Sequence, residues 1–257
     1  MEAFAFAESP QTFFERVVLL LEKVDYRLAV DDDDKDAIYR LRYDAYLREG
    51  AIGSSFSRRF QDQFDDADNC WIYGFYIESR LVASIRMHIA TSAYPEMPSG
   101  HTFPEILTPE IDAGRVIIDP TRFVIDWRAS RAYPELRYIV VRLPFLACEF
   151  FRADLLLASV RTEHQAFYRR VFGHQIVAPA RPYPTLAKPI SLMTLDYLAS
   201  KDRVQQRYPF FRSTFFERRM LFDVAAMTSS RRPVDLPVTH TPVELPVTRP
   251  AENVATV

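Results

Sequence analysis

Residues 154–160 (DLLLASV) form an almost unbroken apolar run, and this run constrains the fold more than any other feature of the chain. A short run that offers no polar face is typical of a central strand covered on both sides. Apolar residues at helical spacing precede it over 136–152, and helical spacing resumes over 164–172 before Gly173. The pattern therefore predicts an α/β fold, with helices packed on both faces of a sheet.

Further strand patterns lie on either side of this unit. They occupy residues 26–30, 70–77, 81–90, 115–126 and 190–195. The second and third of these are separated by only three residues, so they are predicted to form an antiparallel hairpin. A proline-rich stretch between 95 and 109 is predicted to be a loop. We expect a mixed central sheet in which most neighbouring strands are antiparallel.

The chain divides into four segments. Thr12 and Glu15 form a capping-box pattern for a first helix, and the acidic turn 31–35 is predicted to begin a second helix. The segments are an N-terminal helical extension (1–25), the main α/β domain (26–200), a C-terminal helical extension (201–226) and a tail (227–257). The tail contains five prolines and no aromatic residue, so we predict that it is disordered.

Composition excludes several classes of protein. A net charge of −2 argues against a protein that grips nucleic acid over its whole surface. No apolar stretch is long enough to span a bilayer, and the N-terminus lacks the pattern of a secretory signal. The two cysteines and five histidines show no metal-ligand spacing, so no metal site is expected. These features favour a cytoplasmic protein.

Charge is distributed unevenly along the chain. Residues 31–68 contain eleven acidic and six basic side chains, whereas residues 115–170 contain ten arginines and six acidic side chains. A cationic half suits an anionic partner, such as a phosphopantetheine arm or an acidic carrier protein. The alternative is an ordinary solvated helix face.

Several motifs together resemble the acyl-homoserine lactone synthases and, more closely, their relatives the N-acyl amino acid synthases. The motifs are RYDAYLREGAI (42–52), FQDQFDDADN (60–69), LVASIRMHIA (81–90) and DPTRFVID (119–126). The resemblance covers roughly residues 26–197. It implies a GNAT-like N-acyltransferase fold, with a mixed sheet in a three-layer sandwich. It also implies transfer of a long-chain fatty acyl group from acyl carrier protein to the amine of an amino acid, with tyrosine or another aromatic acceptor suggested.

The resemblance also implies which residues form the site. Arg86, Asp119 and Arg122 match the family's catalytic positions, with Asp119 standing where the family carries glutamate. The substrate-binding positions implied are Arg42, Tyr46, Asp62 and Asp65. Thr121 and Phe123 are further substrate-binding candidates, on the chemical grounds given below. Ile52 stands where the lactone synthases carry tryptophan, which disfavours S-adenosylmethionine as the acceptor.

Chemistry assigns roles to these residues. An amine must be neutral to attack a thioester, so a carboxylate should remove its proton, and Asp119 is the preferred base. Asp62 or Asp65 can hold the acceptor's ammonium, and the arginines can hold its carboxylate. Backbone N–H groups near residues 121–123 are expected to stabilise the oxyanion. The alternative is that these side chains only form structural ion pairs: Asp62 and Asp65 with Arg58, Arg59 or Arg86, and Asp119 with Arg122.

The donor side is expected to be cationic. Residues 127–136 (WRASRAYPEL) contain no glycine, which disfavours the pyrophosphate loop of acetyl-CoA enzymes. Candidate contacts to the arm and to the carrier protein are Arg128, Arg131, Arg137, Arg142 and Arg152. No cofactor is expected beyond the carrier's phosphopantetheine.

Alternative functions stay open at this point. The chain can be a lactone synthase that uses S-adenosylmethionine, a CoA-dependent acetyltransferase, or a module that binds acyl chains or a partner without catalysis. The phenylalanine-rich segment after Lys201 is predicted to pack on the core. Covering an acyl pocket and peripheral contact with lipid are the other interpretations of that segment.

Overall fold

A computed structural model describes residues 11–183 and 185–223 of the chain. Its strands are β1 (Val24–Leu28), β2 (Cys70–Ile77), β3 (Arg80–Ala90), β4 (Ile117–Ile125), β5 (Leu155–Val160), β6 (Gln175–Tyr183) and β7 (Leu186–Asp196). Its helices are α1 (Phe13–Leu21), α2 (Asp32–Arg48), α3 (Pro98–Thr102), α4 (Pro104–Asp112), α5 (Trp127–Ala132), α6 (Leu136–Phe151), α7 (Gln165–Val171), α8 (Tyr197–Arg207) and α9 (Phe215–Phe222). Single 3₁₀ turns lie at Gln63–Asp66, Thr162–His164 and Pro209–Phe211. The predicted disorder of 227–257 concerns residues outside this description.

The strands form one seven-stranded sheet in the order β1-β2-β3-β4-β5-β7-β6. Every neighbouring pair is antiparallel except β4 and β5, so the predicted mixed, mostly antiparallel sheet is confirmed. The parallel pair is short: Ile117 pairs with Leu155, and Ile118 pairs with Leu156. Beyond these two pairs the strands separate, which opens the middle of the sheet.

A β-bulge distorts β4 at the same place. Ser84 of β3 pairs with Val124, and Arg86, two residues later, pairs with Thr121, so β4 contains one residue more than its partner. Arg122, within the bulge, has a φ of 53°, in the left-handed region. An extra residue of this kind bends the strand and increases its twist. The bulge therefore contributes to the separation of β4 from β5.

Helices cover both faces of the sheet, as predicted. On one face α6 packs against β3, β4 and β5, and it is covered in turn by α1 and α9. On the other face α2 packs against β2, β3 and β4, beside α3 on β4. The helix α6 is apolar on nearly all sides because it lies between the sheet and an outer helical layer.

Local sequence explains where the first two helices begin. Thr12 and Glu15 form the predicted capping box of α1. Asp31 caps α2 by accepting a hydrogen bond from the N–H of Asp34, and acidic residues fill the first turn. These negative charges lie next to the positive end of the helix dipole, so the acidic run stabilises the start of α2.

Four elements differ from the sequence prediction. The proline-rich stretch contains α3 and α4, because Pro98 and Pro104 occupy first-turn positions where a missing N–H costs no hydrogen bond. Strand β6 was not predicted, since it lies at the edge of the sheet, is largely exposed and contains prolines. The glycine-free stretch after β4 contains α5, which Asp126 caps.

The segment after Lys201 packs on the core, as predicted. Phe210, Phe211 and Phe222 are buried, whereas Phe215 and Phe216 are 67% and 71% exposed. None of the helices within residues 11–183 and 185–223 combines the length and the apolarity that crossing a membrane requires.

Candidate active site

A cleft of about 1270 Å³ occupies the gap between β4 and β5. Its buried part is lined mainly by apolar side chains from both sides of the gap. They include Ile85, Val141, Pro144, Leu156 and Phe172. Its outer part is lined by charged side chains from α2, α5, α6 and the segment after β5. The cleft therefore offers an apolar interior and a charged mouth.

A chain of buried ion pairs lies on the α2 face of the sheet. Arg42 Nη1 lies 2.7 Å from Asp65 Oδ1, and the same oxygen lies 3.0 Å from Arg86 Nη1. That guanidinium also donates to Asp62 Oδ1 at 2.5 Å, and Arg122 donates to the other oxygen of Asp62. Guanidiniums and carboxylates alternate along the chain, which we call the ionic chain. Three cations and two anions leave it with one positive charge in excess.

Local structure places each member of the ionic chain. Asp62 caps the 3₁₀ turn Gln63–Asp66, and its own N–H donates to Asp65 Oδ2 at 2.8 Å, so the two carboxylates hold each other in place. Arg86 also donates from Nε to Thr121 Oγ1 at 3.0 Å, which ties β3 to β4 just before the bulge. These residues are far apart in sequence and meet only in the folded sheet.

The two carboxylates are held ionised. Burial opposes ionisation of Asp62, but the hydrogen bonds and charges of Arg86 and Arg122 outweigh it, so its pKa lies well below the usual range. The same holds for Asp65: burial opposes its ionisation, but the charges of Arg42 and Arg86 outweigh burial, so the pKa of Asp65 is lowered. Both carboxylates are engaged by guanidiniums, and the ion pairs with Arg86 are those given as the structural alternative from sequence. A role of Asp62 or Asp65 in holding a substrate ammonium stays a prediction.

Arg122 is the member of the ionic chain that lines the cleft. Its guanidinium lies 4.5 Å from the ring centre of Phe60, 5.7 Å from Tyr46 and 5.9 Å from Tyr183. It also donates to Thr185 Oγ1 at 2.9 Å. Within the described residues, its buried Nε has no hydrogen-bond partner. Arg122 lines the cleft together with Tyr46, so a substrate carboxylate could reach it there.

The bulge also exposes strand backbone to the cleft. Thr121, Arg122 and Phe123 all line the cleft, and neither Arg122 nor Phe123 is paired with a residue of β3. A backbone N–H that leaves the ladder at a bulge is available for another acceptor. An oxyanion site at residues 121–123 stays a prediction.

Asp119 lies away from the cleft wall. It is fully buried, and both its oxygens accept from Ser99: Oδ2 from the backbone N–H at 2.9 Å and Oδ1 from the hydroxyl at 2.7 Å. Burial raises the pKa of Asp119, and the two hydrogen bonds oppose that rise. Within the described chain no salt bridge joins Asp119 to Arg122, so the ion pair between them that was given as the structural alternative is wrong.

The predicted carrier contacts separate into three groups. Arg131 of α5 and Arg137 of α6 line the mouth of the cleft. Arg128 also lies on α5, but it does not line the cleft. Arg152 ends α6, fifteen residues from Arg137 and thus about 22 Å along the helix. Arg142 is buried and donates to the carbonyl oxygens of Phe210 and Arg212. Arg142 therefore anchors the C-terminal segment, which corrects its assignment to a carrier-binding face.

The mouth carries cations that the sequence prediction missed. Arg48 and Arg131 lie 4.9 Å and 5.2 Å from the ring centre of Trp127, one on α2 and the other on α5. Lys188 lines the same mouth. Within the described chain, Arg48, Arg131, Arg137 and Lys188 form no salt bridge. Their position at the cleft follows from packing, and sequence spacing carries no signal for it.

Two other kinds of site residue were missed for the same reason. Ser99 lies in a stretch predicted to be a loop, and Thr185 reaches Arg122 from a segment without a motif. Phe60 begins the motif 60–69, but only the aspartates of that motif were singled out. No group of three or more histidine, cysteine, aspartate or glutamate side chains in the described ranges has the arrangement of a metal site.

Comparisons with known proteins agree with this geometry. Residues 37–196 match the family model described as N-acyl amino acid synthase FeeM. A search of curated proteins finds no match. Among solved structures, FeeM, an N-acyl amino acid synthase from uncultured soil microbes, superposes with a TM-score of 0.58 and 18% identity, covering 68% of this chain and 90% of FeeM.

Two acyl-homoserine lactone synthases are also similar. BjaI, a CoA-dependent enzyme solved with SAM and isopentyl-CoA, has a TM-score of 0.51 at 17% identity, over 73% of this chain and 89% of BjaI. LasI has a TM-score of 0.53 at 14% identity, over 66% of this chain and 89% of LasI. At these identities the structural likeness concerns the fold.

Proposed function

Since this chain belongs to the N-acyl amino acid synthase FeeM family, we propose that it transfers a long-chain acyl group from acyl carrier protein to the α-amine of an amino acid. Membership of the family makes the chain an acyltransferase; the carrier protein, the chain length and the acceptor are the proposal. The observation that carries it is the cleft, with its apolar interior and cationic mouth.

The interior of the cleft suits a long acyl chain. Its volume of about 1270 Å³ exceeds the roughly 300–1,000 Å³ of an ordinary small-molecule pocket. Val141, Leu156 and Phe172, which line it, come from a helix, a strand and the end of another helix. Each buried methylene group contributes about 0.8 kcal/mol, so an acyl chain gains affinity with each carbon that the cleft covers.

The mouth suits a carrier protein. Arg48, Arg131, Arg137 and Lys188 lie there without salt-bridge partners in the described part of the chain. Such cations can receive the phosphate of a phosphopantetheine arm and the acidic surface of its carrier. The short helix α5 occupies the position where a glycine-rich loop would bind the pyrophosphate of CoA. The cations suit the phosphates of either donor, and the replacement of the glycine-rich loop by α5 is what favours a carrier protein over free CoA.

The acceptor is proposed to bind beside Arg122. The ionic chain carries one excess positive charge, and Arg122 is the member of that chain that lines the cleft. The ring of Tyr46 lines the cleft beside this guanidinium, so an aromatic amino acid can pack against it while its carboxylate pairs with Arg122.

The reaction follows from this placement. The neutral amine attacks the thioester carbonyl, and the C–N bond forms as the C–S bond breaks. Backbone N–H groups at Thr121–Phe123 stabilise the oxyanion, and one oriented donor of this kind contributes about 3 kcal/mol. The departing thiolate takes the remaining proton from nitrogen and leaves as the thiol of the carrier arm. Neither cysteine of the chain lines the cleft, which agrees with direct attack.

The test is a matrix of donors and acceptors. The purified protein is incubated with acyl carrier proteins or acyl-CoAs of several chain lengths and with each amino acid, and products are identified by mass spectrometry. We expect N-acyl amino acids, formed faster from carrier-bound donors than from CoA. An acyl lactone formed from S-adenosylmethionine would assign the chain to lactone synthesis. If the protein binds acyl chains but forms no product with any combination of donor and acceptor, it would be a binding module and not an enzyme.

A further inference from the structure

A hydrogen-bonded chain of hydroxyl groups links the cleft to the buried carboxylate of Asp119. Ser159 lines the cleft from β5, and its Oγ lies 2.6 Å from the Oγ of Ser99. The Ser99 hydroxyl lies 2.7 Å from Asp119 Oδ1. The three residues belong to β5, α3 and β4, so only the folded sheet brings them together.

Chemistry fixes the direction of these hydrogen bonds. An ionised carboxylate only accepts, so the hydroxyl hydrogen of Ser99 points to Asp119. The Ser99 oxygen must then accept from Ser159, whose own hydrogen is used in that bond. A lone pair of the Ser159 oxygen is therefore left for a donor in the cleft.

Ser159 is positioned to meet the substrate amine. It lies three residues beyond Leu156, where β5 leaves its last pairing with β4, and Thr121 lies three residues beyond the partner Ile118. Both Ser159 and Thr121 line the cleft, so they face each other across the opening at the level of the bulge. The proposed oxyanion site and the start of the hydroxyl chain thus belong to one region.

We propose that Ser159 and Ser99 relay the ammonium proton of the bound amino acid to Asp119, which is thereby the base without touching the substrate. The inference rests on the proposed function. The ammonium gives a proton to Ser159, Ser159 gives its own to Ser99, and Ser99 gives its own to Asp119. Both serines remain neutral, the amine becomes nucleophilic, and Asp119 becomes a carboxylic acid that returns its proton to solvent after turnover.

The surroundings of Asp119 suit this role. Burial raises its pKa, so the carboxylate accepts a proton more readily than an exposed aspartate does. Besides Ser99, the charged or titratable groups that face it are Arg86 and His88 of β3 and Tyr183 of β6. Burial and Arg86 lower the pKa of His88 to about 3, so the imidazole stays neutral. Burial raises the pKa of Tyr183, so the phenol stays neutral as well.

The test compares Ser159→Ala with Ser159→Thr and with Ser84→Ala. General base catalysis contributes about 10²–10⁴-fold, so Ser159→Ala should lower kcat about 10²-fold while KM changes less than about twofold. Threonine keeps the hydroxyl and should restore most of the rate. Ser84 is a fully buried serine of β3 whose hydroxyl has no partner among the described residues, which makes it the matched control.

The pH profile separates a relay from a packing role. In the wild type, the acid limb of kcat/KM should follow a carboxyl with a raised pKa. In Ser159→Ala that limb should disappear, and small bases such as imidazole should restore part of the rate. Equal kcat and an unchanged acid limb in Ser159→Ala, with an active wild type, would overturn the relay alone. A wild type that forms no N-acyl product would overturn the proposed function and the relay with it.

Discussion

Replacing Asp62 by asparagine tests the physical basis of the site. Asp62 accepts from Arg86 and Arg122, whose side chains are 0% and 2% exposed. The substitution keeps the shape of the side chain and removes one of the two negative charges of the ionic chain. Arg42 and Arg86 would then share the carboxylate of Asp65, and Arg122 would lose the ion pair that it forms with Asp62.

The expected cost is large for one substitution. Removing one partner from a buried ion pair destabilises a protein by about 3–5 kcal/mol. The asparagine oxygen can still accept one neutral hydrogen bond, which contributes about 1 kcal/mol. We therefore expect the free energy of unfolding to fall by about 3 kcal/mol. For a chain of this size each kcal/mol lowers Tm by about 2–4 °C, so Tm should fall by about 6–12 °C.

The assay is urea unfolding and calorimetry of Asp62→Asn beside Asp36→Asn. Asp36 pairs with Arg40 and Arg59, but its side chain is 29% exposed and those of its partners are 59% and 40% exposed. Solvent screens an exposed pair, so the control should lose far less stability than Asp62→Asn does. Equal losses in the two variants would refute the claim that the ionic chain is buried and strongly coupled.

The pH dependence gives an independent check. The pKa of Asp62 in the folded protein is well below the value of about 3.9 for an unfolded aspartate. Its contribution to stability is therefore complete above that value and is lost as pH falls towards the folded pKa. The difference between wild type and Asp62→Asn should be constant from about pH 7 to pH 5 and should shrink below about pH 4. A difference that instead grew on acidification would contradict the assignment.

Three further predictions concern other parts of the molecule. Arg142→Met should lower the free energy of unfolding by about 3 kcal/mol in urea unfolding, because two carbonyl oxygens and the carboxylate of Glu217 lose their donor. The control Arg152→Met, at an exposed site, should change that free energy by less than about 0.5 kcal/mol. Arg131→Glu combined with Arg137→Glu should raise KM for acyl carrier protein about tenfold at low salt, with Arg152→Glu as the control, and an unchanged KM would refute the carrier-binding mouth. Val141→Phe should shift the products seen by mass spectrometry to acyl chains about two methylene groups shorter, and an unchanged distribution would place the acyl chain elsewhere.

The sequence predicted the architecture well where burial leaves a pattern. Strand β5 and helix α6 are buried, so their apolar residues predicted both elements. The order of the elements predicted helices on both faces of a mixed sheet. Edge strand β6 and the helices of the proline-rich stretch carry no such pattern. Strand β6 is largely exposed, so few of its residues face the core. Prolines in the proline-rich stretch predict a loop, but in the structure Pro98 and Pro104 begin helices.

The family and the residue types of the site were also readable from sequence. Arg42, Asp62, Asp65, Arg86 and Arg122 were all singled out, and the structure brings these five together. Their pairing was predicted only in part: Arg86 was named as a possible partner of both aspartates, whereas Arg42 and Arg122 were not. Each carboxylate lies between two guanidiniums that come from different elements, and sequence distance says nothing about which cation lies nearer.

What the sequence determined by itself is therefore the fold, the family and the inventory of charged groups, because hydrophobic periodicity and local motifs are written in neighbouring residues. Only the tertiary structure decided that Arg142 is an internal anchor, that Asp62 and Asp65 serve arginines, and that Asp119 meets the cleft through Ser99 and Ser159. These outcomes depend on how β4 parts from β5 at a bulge. The free energy of a buried charge is set by whatever surrounds it in space, and those surroundings come from residues far apart in the chain.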